Sequence, residues 1–116
     1  MRAGHTLEQA MHPQIIEHEG IRYAEIIWAN SHFDESTFVS DSQSSFQFGV
    51  LAPKSGYREP PHYHRVIPRN ISDVQELLVI RKGTLAIQFY TSDCRFLSEI
   101  HLHAGDAAVL VAGIHA

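Results

Sequence analysis

His62 and His64 flank Tyr63, so in an extended segment both imidazoles leave the same face of the chain and form a chelating pair. Glu76 opens an apolar run that ends at Arg81, and it shares a face with Leu78 and Ile80. An unpaired carboxylate turned inward there would be costly, and a bound cation would remove the cost. Far downstream, Val-Ala-Gly-Ile-His places His115 just after a short turn at Gly113. Three imidazoles and one carboxylate form a mixed donor set for a divalent transition metal. Neutral imidazole suits Fe, Ni, Cu and Zn, and the carboxylate adds hard charge.

Other side chains stand near this constellation. Arg58 shares the parity of His62 and is a candidate to hold an anionic substrate, with Tyr63 beside it. Tyr57, Arg58 and Tyr63 are candidates for proton transfer by proximity alone, so no catalytic residue is assigned. A second His-x-His, His101 and His103, has the parity of Leu97 and Glu99, opposite Phe96, Ile100 and Leu102, and is expected to face outward. His5, His12, His18 and His32 have no partner at ligand spacing.

The elements that must position these residues read as short strands. A short helix is expected over Thr6–Met11, capped by Thr6 and stopped by Pro13. Strands are expected over Gln14–Glu19 and Ile21–Trp28, with shorter runs at Thr37–Ser40 and Ser45–Ala52. The histidine segment is expected to be a strand beginning near His62, since Pro60 and Pro61 bar an earlier start. After a loop over Arg65–Asp73 come Val74–Lys82, Thr84–Tyr90, Arg95–His103 and Ala107–Ala112, with Lys82-Gly83 as a hairpin turn between the first two. Tyr23, Trp28 and Phe48 are expected in the core. Regularly spaced strands without long helices predict an all-β antiparallel sandwich or barrel.

At 116 residues, 44% hydrophobic and 19% charged, the chain is expected to form a single domain over 1–116. Within it, 1–52 supplies N-terminal strands and 53–116 the candidate site. A formal charge of -4 without a basic cluster argues against nucleic acid and anionic membranes as partners. The opening MRAGHTLEQAMHPQ lacks the apolar core of a secretion signal, and no apolar run approaches bilayer length. A cytoplasmic location is the expectation, and the lone Cys94 is in keeping with a reducing compartment.

The chain resembles the cupin superfamily, whose first motif is G-x5-H-x-H-x3,4-E-x6-G and whose second is G-x5-P-x-G-x2-H-x3-N. Gly56, His62 and His64 match the opening spacing, and Glu76 and Gly83 match the close. Between them the gap from His64 to Glu76 is a longer loop, a mild insertion because closure entropy grows only logarithmically. Gly105, Gly113 and His115 follow the second motif, with Val111 in place of its proline and one residue fewer before the histidine. The resemblance implies a double-stranded β-helix, the cupin jelly-roll barrel, with Fe, Mn, Ni or Zn held by His62, His64, Glu76 and His115. It implies an enzyme acting on a small molecule, either an oxygenase or a sugar- or polysaccharide-related isomerase. The alternative is a non-catalytic cupin that binds a small molecule or saccharide around a structural metal. Cupins continue past the last histidine, whereas the sequence ends at Ala116. The barrel is therefore expected to be completed by the N-terminal strands or by a partner chain, unless the sequence is truncated. A homodimer is the expectation.

Overall fold

The computed structural model describes residues 12–116, so the helix expected over Thr6–Met11 lies outside the described residues. Regular structure among them is all strand, and no helix is long and apolar enough to cross a membrane. The chain forms two compact units, one joining the residues up to His32 with Asp73–Ala116, the other Phe33–Ser72. β1 (Gln14–His18) and β2 (Ile21–Ile27) begin the first unit, and the second holds β3 (Thr37–Phe38) and β4 (Gly49–Val50). β5 (Glu76–Val79), β6 (Thr84–Tyr90), β7 (Phe96–His103), β8 (Ala107–Leu110) and β9 (Ile114–His115) return to the first unit.

All pairing is antiparallel. The first unit has one sheet in the order β1-β2-β8-β5 and another in the order β7-β6-β9; the second unit has the pair β3-β4, and among the described residues no sheet closes into a barrel. Alternation writes the shared core of the first unit. Ala24, Ile26, Ala108 and Leu110 come from one sheet, with Trp28 just past the end of β2, and Ile87, Phe89, Ile100 and Leu102 come from the other. Burying each large side chain contributes about 1.5–3 kcal/mol. A one-residue slip of β2 would exchange that set for the opposite face, so the register is strongly specified.

Two bulges break the alternation and explain otherwise puzzling neighbours. Ile16 pairs with Ala24 but Glu17 with Arg22, so Tyr23 is an extra residue in β2. Tyr23 therefore joins Ala24 in the core, while Arg22 and Glu25 fall on one face, where the guanidinium donates to the Glu25 carboxylate at 2.8 Å. In a regular strand residues three apart point to opposite faces. The second bulge leaves Leu97 unpaired between Phe89↔Ser98 and Tyr90↔Phe96. Leu97 packs on the core and Phe96 turns outward, 59% exposed, against the face expected for it; its ring meets Tyr90 edge-on at 6.2 Å.

The chain changes sheets at Lys82-Gly83, so the hairpin expected there is corrected. β5 pairs with β8, and its outgoing backbone is already satisfied: Ile80 N–H donates to Asp106 O at 3.0 Å, and Gly105 N–H to Ile80 O at 2.8 Å. The crossing from β7 to β8 is tied by the buried carboxylate of Asp106. It accepts from the Ala29 N–H at 2.8 Å and from the His103 N–H at 2.7 Å.

In the second unit the runs expected at Thr37–Ser40 and Ser45–Ala52 shorten to the two-residue β3 and β4. Side-chain oxygens compete with the ladder there, as where the Phe48 N–H donates to Ser40 Oγ at 2.8 Å. Tyr23, Trp28 and Phe48 are all buried, as their sequence context predicts.

Candidate metal centre

The first unit brings together two of the expected donors, Glu76 and His115. Glu76 opens β5 directly across from Leu110, whose side chain lies in the core. His115 stands across from Phe89, 1% exposed. Each therefore shares the core-facing side of its sheet, and His115 Nε2 lies 3.9 Å from Glu76 Oε1. Both remain partly open to solvent, with 36% of the His115 side chain and 56% of the Glu76 side chain accessible. The spacing is outside hydrogen-bond range. It is slightly beyond the ~3.4 Å separating two donors that bind one cation tetrahedrally at about 2.1 Å, so the pair fits a shared metal after a small side-chain adjustment.

His115 is well held for a residue near the end of the sequence. Gln88 and Ala116 exchange both backbone hydrogen bonds, each 2.9 Å, which fixes β9 to β6. The neighbouring Phe89–His115 positions are then a non-hydrogen-bonded pair, the kind whose side chains approach most closely. The approach to β9 depends on Gly113. Its φ is +83°, and a Cβ there would lie 2.4 Å from Cε2 of the buried Tyr23 ring. That ring is in turn fixed edge-on to Phe89, with centroids 6.1 Å apart. The bulge at Tyr23 thus reaches His115 through a turn where any side chain would meet a buried ring.

The second unit holds the other expected pair. His62 and His64 lie in irregular chain, not in the strand expected from the alternation, because Pro60 and Pro61 remove two ladder donors. Their rings are nonetheless neighbours, with centroids 5.6 Å apart. His62 Nδ1 lies 3.0 Å from the Pro60 carbonyl. A carbonyl only accepts, so this contact places the proton on Nδ1 and leaves the Nε2 lone pair for a cation. Glu59 Oε1 stands 3.6 Å from the same nitrogen, and the Tyr57 hydroxyl donates to Glu59 Oε2 at 3.0 Å. That hydrogen bond, and then the carboxylate's charge, push the Tyr57 pKa above its ordinary value, so the phenol keeps its proton at neutral pH. Glu59 is the neighbour that ligand spacing alone misses; its signal is the stretch Tyr57-Arg58-Glu59-Pro60-Pro61-His62, which puts a phenol, a carboxylate and an imidazole in one short segment.

Tyr63 is 86% exposed and lines an open groove together with His62 and His64, whereas Arg58 does not line it. His101 and His103 face away from the core, as expected. His101 Nε2 donates to Glu99 at 3.0 Å, and His103 Nδ1 lies 3.9 Å from Asp106. Among the described residues, no group of three or more His, Cys, Asp or Glu side chains gathers as a ligand set. Comparison of the chain with protein-family models, with curated proteins and with solved structures finds no match.

Proposed function

We propose that the chain is a small cupin-type metalloprotein acting on a small molecule, with a divalent transition metal bound by His62, His64, Glu76 and His115. The observation that carries this reading is the approach of Glu76 and His115, remote in sequence, to 3.9 Å on the core side of two facing sheets. The histidine pair is contributed by the sequence motif, and the Pro60 contact supports it by leaving the His62 Nε2 available. Two antiparallel sheets joined by short crossings support a jelly-roll reading of the first unit. A bound Fe, Mn, Ni or Zn would polarise a substrate oxygen or lower the pKa of coordinated water. The chain's own residues do the rest: the Pro60 carbonyl orients His62, Glu59 orients the Tyr57 hydroxyl, and Tyr57 holds a proton near the histidine pair.

The test is metal content per chain after purification without added metal, repeated after loading with each candidate ion. About one ion per wild-type chain is expected. His62→Ala, His64→Ala, Glu76→Ala and His115→Ala should each lose most of it, while circular dichroism verifies folding. Full stoichiometry retained in His62→Ala or Glu76→Ala would end the assignment.

A further inference from the structure

The second unit contains an open groove of about 640 Å³ whose walls include Arg65 and Arg69 and no carboxylate. That is unusual on a chain of formal charge -4. Within Phe33–Ser72 the acidic residues Asp34, Glu35, Asp41 and Glu59 are matched by Lys54, Arg58, Arg65 and Arg69, so the acid excess lies in the remaining sequence. Two of those acids are turned onto local partners. Asp41 accepts the Gln43 N–H at 2.8 Å, and Glu59 faces Tyr57 and His62. Arg69 donates only to a backbone carbonyl, that of Gln43 at 3.3 Å, and neither groove arginine is paired with a carboxylate among the described residues.

The groove is not purely polar. Ser44 and Ser45 contribute hydroxyls, while Tyr63, Val66 and Ile67 present apolar surface that is 86%, 96% and 60% exposed. Cations and hydroxyls beside exposed apolar surface match an anion carried on an organic body. The volume is also far larger than an inorganic ion requires and falls in the range of small-molecule sites. Guanidinium groups bind phosphate through paired N–H donors, with charge-assisted bonds about twice as strong as neutral ones.

We propose that this groove binds a phosphate monoester of a small organic molecule, with Arg65 and Arg69 as its charge partners and Tyr63, Val66 and Ile67 against its organic body. The site shares His62 and His64 with the metal reading but does not need a metal, since its cations are the two arginines.

The test is calorimetric titration of the full chain, stripped with EDTA, with phenyl phosphate, inorganic phosphate, benzoate and phenol. Phenyl phosphate should bind saturably and more tightly than inorganic phosphate or benzoate, and phenol should not bind. Arg65→Gln and Arg69→Gln should each weaken phenyl phosphate about tenfold, as loss of a charged hydrogen bond does, with Lys54→Gln unchanged. Failure of phenyl phosphate to bind overturns the proposal, as do arginine variants that bind like wild type. Phenol or inorganic phosphate binding as tightly as phenyl phosphate also overturns it. Metal content measured on the same variants separates the two readings. Lost phosphate binding with metal intact supports the groove, whereas intact phosphate binding in a chain that never takes up metal counts against the metal centre alone.

Discussion

At the residue scale, the candidate ligands are readable by type and spacing, but what holds them is not. Glu76 and His115 stand out because a carboxylate on an apolar parity and a histidine after a glycine turn need explaining. Nothing in the local pattern reveals that the ring of Tyr23 closes the space over Gly113. That contact separates two penalties that usually travel together. Gly83 and Gly113 both have positive φ, +81° and +83°, but a Cβ on Gly83 meets nothing within 4 Å. Gly83→Ala should therefore cost only the left-handed backbone strain, about 1–2 kcal/mol. Gly113→Ala adds overpacking against a core ring, for a total of about 2–5 kcal/mol. Urea denaturation of both variants checks the difference; equal losses would show that the Tyr23 contact relaxes freely.

At the scale of elements, alternation carries far where a strand is uninterrupted. Thr84–Tyr90 is strand over the full span expected for it, because Ile87 and Phe89 face the core without a break. Alternation fails at bulges, whose extra residue has no local signature: Phe96 reads as inward and is outward because Leu97 takes its place. It fails again around His62, where donors missing from the Pro-Pro pair outweigh a period-two pattern. The outward face of β6 and β7 offers a test of cross-strand chemistry. His101 donates to Glu99, Gln88 Nε2 donates to its other oxygen at 3.1 Å, and the Tyr90 hydroxyl donates to Gln88 at 2.5 Å. The His101 hydrogen bond, followed by that of Gln88, holds the Glu99 pKa below the ordinary 4.5. A carboxylate with a depressed folded pKa stabilises the fold above its unfolded value and loses that contribution as pH falls through the folded one. Carboxyl NMR titration should place Glu99 below ordinary glutamates, and His101→Ala should move it upward; an unmoved midpoint would dismiss the ladder as its cause.

At the scale of the whole molecule, the all-β class is legible because regular apolar alternation recurs from Val74 onward. The division into two units is not, since the first is assembled from both ends of the sequence around the insertion of Phe33–Ser72. We propose association into a homodimer through β5. Among the described residues it lies at the edge of its sheet, paired with β8, and it presents Leu77 and Val79 at 52% and 57% exposure. An exposed apolar edge strand is a template for another copy. Light scattering across a concentration series should give twice the chain mass, and Leu77→Lys with Val79→Lys should give the monomer; a wild-type monomer throughout removes the proposal. The packing of Tyr23 on Gly113 also has a meaning for lineages. A descendant that acquires a side chain at 113 must first shrink the ring at 23, and the residues able to follow are those, such as asparagine, that accept a left-handed backbone. The two positions should therefore drift in concert, a correlated pair that any sufficiently deep collection of sibling sequences would display.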